Sequence, residues 1–279
     1  MQSIVVPTDF SPTAYNAAQY AIGLASQLQA SKIILYNAYQ QYIPEDPMVM
    51  GVVTQDPAEL KTISEEGLSH MLQALEEKTV EFSQVECVSD YNTITNGVLE
   101  VCKKYKAALI VMGITGASGK LDEVVIGSNA LDVSRRSDIP VIIVPSNAAF
   151  TPLKKILLAC DFKKVVETTP ITPVKEILDV THAELHVLHI EADGHDFKPD
   201  TPFESLMLDE LLRGYNPQYH FEKDHHHFTD AINKFATGNQ IDLIILIPKK
   251  HGFFEGIFKS SHTKALAFHS HIPLMTIHE

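Results

Sequence analysis

Two stretches of this chain repeat one another: Ile4-Val5-Val6-Pro7-Thr8-Asp9-Phe10 and Ile156-Leu157-Leu158-Ala159-Cys160-Asp161-Phe162. Each is a short apolar run that closes on Asp-Phe, and the first reads as the opening strand of a fold. Working outward, Ala30-Ser31-Lys32-Ile33-Ile34-Leu35-Tyr36 corresponds to Ala183-Glu184-Leu185-His186-Val187-Leu188-His189. Residues 107–113 (AALIVMG) correspond to 241–247 (IDLIILI). The endings match as well: Ser137-Asp138-Ile139-Pro140-Val141-Ile142-Ile143-Val144 against Ser270-His271-Ile272-Pro273-Leu274-Met275-Thr276-Ile277. Matches that keep their order along the chain mark an internal duplication.

Helical patterns fill the spaces between these runs. Ser11 to Gln29 is rich in Ala and Leu and opens with Ser11-Pro12, a cap followed by proline at the first helical position. Pro57 to Thr79, Thr93 to Lys106 and Ser128 to Arg136 read as further helices. Their counterparts are Thr172 to Thr181, Phe203 to Tyr215, Phe228 to Thr237 and His262 to His269. Strands that are apolar throughout and alternate with helices indicate a parallel sheet covered on both faces. The expected fold class is α/β: two tandem doubly wound, mainly parallel five-stranded sheets. The first unit is expected over 1–146 and the second over 152–279, with Pro145, Ser146, Asn147 and Pro152 near the link.

Composition narrows the function classes. A chain of 279 residues with 45% apolar and 20% charged residues has the profile of a soluble globular protein of two domains. No apolar run approaches the roughly 18 residues that span a bilayer, and the N-terminus lacks a secretory pattern, so no membrane partner is expected. Cys87, Cys102 and Cys160 are scattered without a CxxC pair, which suggests buried, reduced thiols in the cytoplasm. A formal charge of −13 repels a phosphate backbone, and nucleic acid is not expected as a partner.

In open α/β sheets ligands bind beyond the carboxyl ends of the strands. Asp9 ends the first strand of the first unit. The fourth, Leu109-Ile110-Val111-Met112, runs into Gly113-Ile114-Thr115-Gly116-Ala117-Ser118-Gly119-Lys120, and Ile126-Gly127-Ser128-Asn129 then opens a helix. Glycines let the backbone approach a ligand, and the free N–H groups of a helix start attract phosphate. Each feature also has a plain structural use. Asp9 could cap the helix after Ser11, Ser128 is a competent N-cap whatever binds, and Gly113 and Gly116 could be turn glycines.

Taken together, these residues resemble the ATP-binding universal stress proteins. That family carries G-x2-G-x9-G-(S/T), often followed by Asn, and Gly113, Gly116, Gly127, Ser128 and Asn129 match it with ten rather than nine residues in the second gap. Pro7-Thr8-Asp9-Phe10-Ser11 is similar to the family's first-strand signature. The resemblance implies a Rossmann-like fold of the adenine nucleotide alpha hydrolase type, a regulatory role in stress response, and bound ATP, ADP or AMP with Mg²⁺ on the phosphates. It implies that Asp9, within Pro7-Thr8-Asp9, holds ribose or base, and that backbone around Asn37 meets the adenine edge. It implies that Met112, Gly113, Thr115 and Gly116 line ribose and the first phosphates, while Gly127, Ser128 and Asn129 hold the outer ones. It also implies pairing through last strands, either of the two units with each other or of two chains as a homodimer.

No P-loop GxxxxGK(S/T) is present, and no paired carboxylates are placed to orient water, so at most slow ATP hydrolysis is expected. The second unit keeps Asp161 but reads Pro248-Lys249-Lys250-His251-Gly252-Phe253-Phe254 where the phosphate loop would be, with Ser260-Ser261 opposite Gly127-Ser128. No ATP is expected there by the same mode. His225-His226-His227, His251, His262, His269 and His271 offer imidazoles for zinc. Adjacent histidines seldom converge on one ion, and surface or partly buried side chains are the preferred reading. The alternative to a nucleotide-bound regulator is a scaffold that works without nucleotide.

Overall fold

The computed structural model describes residues 3–40, 56–76, 84–114, 128–162, 164–192, 201–224, 228–247 and 270–278. In chain order the first half holds β1 (Ser3–Pro7), α1 (Pro12–Gln27), β2 (Lys32–Tyr39), α2 (Pro57–Glu76) and β3 (Gln84–Tyr91). It continues with α3 (Ile94–Tyr105), β4 (Leu109–Ile114), α4 (Ser128–Arg136) and β5 (Val141–Pro145). The second half holds β6 (Lys155–Ala159), α5 (Val165–Thr168), α6 (Ile171–Thr181), β7 (Glu184–Ala192) and α7 (Thr201–Leu211). After these come β8 (Gln218–Asp224), α8 (Phe228–Gly238), β9 (Leu243–Leu246) and β10 (Leu274–Thr276).

The strands form one sheet in the order β3-β2-β1-β4-β5-β10-β9-β6-β7-β8. Every pair within a half is parallel, and β5 meets β10 antiparallel with Ile142 opposite Met275. Period-two alternation splits each strand between two layers of core. Ile4 and Val6 face the layer that takes Leu24 of α1 and Leu68 of α2. Val5 and Ile34 face the layer that takes Val98 of α3 and Leu131 of α4. Both layers continue into the second half, through Leu158 and Met275 in one and Leu157 and Leu274 in the other.

Local chemistry sets the helix boundaries. Ser11 caps α1, its hydroxyl accepting from Ala14 N at 3.2 Å, with Pro12 behind it. Lys106 in the left-handed region (φ 50°) ends α3. The link between halves is tied back onto α1: Asn16 Nδ2 donates to the carbonyls of Pro145 and Ala148, and Gln27 bonds both N–H and C=O of Leu153.

Two expectations change, and one element is added: the short α5, whose four residues are too few to show a period in the sequence. Helix α7 ends at Leu211 rather than at Tyr215. Cys87 lies exposed on the edge strand β3 instead of buried, while Cys102 and Cys160 are buried as expected. Partial burial of its sulfur beside Leu68 of α2, and then the charges of Glu76 and Glu86, push the Cys87 thiol up, and burial raises Cys102 to about 12, so neither is an activated nucleophile. The helix expected over His262 to His269 falls outside the described residues. Among the described residues no helix is long and apolar enough to cross a membrane.

Candidate functional site

At the carboxyl ends of β1, β2 and β4 the first unit opens a cavity of about 480 Å³. Seven of the residues singled out in the sequence line it: Pro7, Thr8, Asp9, Asn37, Met112, Gly113 and Asn129. Thr115, Gly116 and Gly127 lie outside the described residues, as do Ser118 and Lys120. Ser128 begins α4, although its side chain is not among those described. Sequence reasoning missed several walls of the cavity: Thr13 and Ala14 from the first turn of α1, Gln40 and Ala38 past β2, and Asn92 and Ile94 at the start of α3. A rule that helix starts line such a cleft could have found Thr13 and Ile94; nothing local marks Asn92.

The turn after β1 is built from side chains that satisfy its own backbone. Phe10 has φ 64°, a left-handed conformation that costs a non-glycine residue free energy and recurs where a site is held open. The Thr8 hydroxyl accepts from Phe10 N at 2.9 Å, and Asp9 Oδ1 accepts from Ser11 N at 3.0 Å. Asp9 therefore shapes the turn, whereas Ser11 is the residue that caps α1. The Asp9 carboxylate is exposed and keeps its second oxygen for other partners. Behind the turn, buried Asn37 donates from Nδ2 to the Thr8 carbonyl at 2.7 Å, which locks the end of β2 onto the end of β1.

Gly113 has a reason of its own. A Cβ there would stand 2.5 Å from the Thr13 carbonyl oxygen and 2.8 Å from Thr13 Cγ2. The first turn of α1 presses directly on β4, and only glycine admits it. On the α3 side, Gly97 makes room for Tyr36, whose hydroxyl donates to Asp90 Oδ2 at 3.2 Å. Burial and then the Asp90 charge push the Tyr36 phenol well above its ordinary range, so it stays a donor. Asn92 donates to the same Asp90 oxygen at 3.2 Å and to Glu100 at 3.1 Å, which fixes that wall of the cavity.

The second unit repeats the turn with different chemistry. The registers of β1 with β2 and of β6 with β7 make Thr8 equivalent to Cys160 and Asn37 equivalent to His189, which corrects by one residue the sequence match of Tyr36 to His189. Cys160 Sγ accepts from Phe162 N at 3.4 Å, and His189 bonds the Cys160 carbonyl at 2.9 Å through Nδ1, which must carry the proton. Phe162 has φ 46°, as Phe10 has 64°. Its ring is buried against Phe221 (centroids 5.7 Å apart), His189 and Tyr219, whereas the equivalent Phe10 is exposed. Asp161 is buried here, whereas Asp9 is exposed.

The histidines singled out in the sequence fall mostly outside the described residues: His225 to His227, His251, His262 and His269. His271 is exposed and bonded to Asn147. Among the described residues no group of three metal-ligating side chains comes together. The loop of Lys249 and Lys250 likewise lies outside them.

Comparison with known proteins agrees with this architecture. The sequence signature of the universal stress protein family matches residues 1–145 and again 152–278. A universal stress protein of Methanocaldococcus jannaschii is 30% identical over 146 residues, covering 51% of this chain and 81% of that protein. The crystal structure of a universal stress protein from Archaeoglobus fulgidus superposes with a TM-score of 0.71 at 19% identity, covering 99% of this chain and 98% of that one. A functionally unknown protein from Pseudomonas aeruginosa PAO1 gives 0.61 at 14% identity over 99% and 92%. At such identities the likeness speaks for the fold. Two family matches in series, on two halves that share the Asp-Phe turn and one sheet, place this chain in the universal stress protein family as a tandem member.

Proposed function

We propose that the first unit binds an adenine nucleotide in the cavity at the ends of β1 and β4, and that the protein serves as a nucleotide-dependent regulator in stress response. The observation that carries this reading is the cavity itself. Its size suits a small ligand, its walls are Thr8, Asp9, Asn37 and Asn129, and the start of α4 stands at its rim. Free N–H groups at a helix start favour phosphate, and an exposed carboxylate repels it. The triphosphate of ATP, or the shorter chain of ADP or AMP, therefore lies toward Ser128 and Asn129, with Mg²⁺ on the phosphates. Ribose and base lie toward Asp9 and Asn37. The chain's own work is binding and orienting; no P-loop is present to drive fast hydrolysis.

In this reading the domain spanning 1–146 carries the nucleotide and the one spanning 152–279 takes none by the same mode. Ile247, which strand register sets at the place of Gly113, supports the second statement, because the close backbone approach that glycine allows is lost there. The test is to denature freshly purified protein, identify released nucleotide by mass spectrometry, and titrate stripped protein with Mg²⁺ and ATP. About one adenine nucleotide per chain is the expected stoichiometry. Gly127→Val is expected to abolish binding without unfolding the protein, and Asp9→Ala to weaken it by about tenfold or more, as for a lost charged hydrogen bond. Unchanged affinity in both variants overturns the site. No nucleotide released and none bound favours a nucleotide-independent scaffold, a reading helped by the Gly113–Thr13 contact, which explains that glycine without any ligand.

A further inference from the structure

Two imidazoles stand in the second unit where the first has an apolar pair. Val5 opposes Ile34 as its repeat Leu157 opposes His186, and Tyr36 opposes Val88 as its repeat Leu188 opposes His220. Ile34 and Val88 thus correspond to His186 and His220. His186 is as buried as the core around it, at 4% exposure. Its Nδ1 lies 3.0 Å from His220 Nε2, with the rings near parallel at 17°. Phe235 of α8 covers both, at centroid distances of 6.4 and 4.7 Å. The edge strand β8, its neighbour β7 and the helix α8 therefore meet on one nitrogen-to-nitrogen hydrogen bond.

Such a bond needs one N–H and one lone pair. With both rings neutral, His220 Nε2–H donates to His186 Nδ1, and His186 Nε2, which has no hydrogen-bond partner, carries the proton nearest Glu184 at 3.8 Å. One added proton on the other His220 nitrogen leaves this bond in place, a cationic ring donating to a neutral one. A second leaves two cations facing each other with no acceptor between them. Lys155 from β6 opposes protonation, whereas Glu184 from β7 and Glu222 from β8 favour it. Burial is the largest cause on both rings and holds both pKa values below the ordinary imidazole range.

We infer that the His186–His220 pair is an acid-sensitive clamp, whose protonation releases β8 and α8 while the first unit, built on Ile34 and Val88, holds. The sign follows from linkage. Both folded-state values are depressed, so the folded unit binds fewer protons than the unfolded chain once the pH drops below about 6.5. The clamp is complete above that value and is lost as the pH falls through the depressed ones. The opening equilibrium grows by up to about tenfold per pH unit for each proton taken up.

Hydrogen exchange of the full chain, read by mass spectrometry at about pH 7.5 and about pH 5, compares β8 and α8 with β3 and α3 after correction for intrinsic rates. Protection is expected to fall at least about tenfold more in β8 and α8. An equal change in both halves overturns the inference. The double variant His186→Ile, His220→Val, which installs the first unit's pair, is expected to erase the difference. His220→Gln, which keeps a donor toward His186 and takes up no proton, reads the same quantity should the double variant not fold. Persistence of the full difference in either folded variant overturns the clamp.

Discussion

The packing role of Gly113 is tested apart from the proposed nucleotide site. Gly113→Ala is expected to destabilise the protein by about 1–3 kcal/mol in the absence of nucleotide, since its Cβ meets backbone that cannot swing away. Urea unfolding checks this, and wild-type stability in the variant would remove the packing role. Asn37 gives a second residue-scale prediction. Asn37→Leu strips the Thr8 carbonyl of its donor and is expected to cost about 1–3 kcal/mol. Asn37→His is expected to cost less than Asn37→Leu in the same unfolding assay, because His189 already makes the equivalent bond to Cys160 in the second unit. The sequence singled out both positions but could not say why Gly113 must be glycine, because Thr13 is brought to it only by folding.

Among the elements, α1 is the one most fully written in the sequence. Its cap, its proline and its buried face at Ala14, Ala17, Ala18, Ala21, Leu24 and Ala25 all follow from local pattern. Ser11→Ala removes the acceptor for Ala14 N and is expected to cost about 1 kcal/mol, measured as a lower denaturation midpoint. An unchanged midpoint would mean that Pro12 and packing alone fix the helix start. Edge strands are less legible. β3 mixes polar and apolar residues, with Cys87 exposed, and nothing in its local pattern tells an edge from a centre. α5 is shorter than the period by which helices are recognised.

On the scale of the molecule, buried hydroxyls of α4 and β10 meet across the junction. The Ser134 hydroxyl of α4 and the Thr276 hydroxyl of β10 lie 2.8 Å apart, both at 0% exposure, and Thr276 also donates to the Val141 carbonyl. Thr276→Val is expected to destabilise by about 1–3 kcal/mol by orphaning Ser134, and Ser134→Ala added to it to restore part of the loss. A double-mutant cycle by chemical denaturation measures the coupling, and additive losses would show the pair to be independent. The sequence alone determined the duplication, the α/β class, most helices and part of the polar lining of the first cleft, because apolar period, capping and turn chemistry are local. Tertiary structure decided that β5 and β10 join the halves into one sheet, since both last strands are apolar enough to pair in several ways. It also decided that Asp9 is exposed while Asp161 is buried, and that His186 meets His220. Those facts depend on residues far apart in the chain, and only the packing of strands and helices brings them within reach of each other.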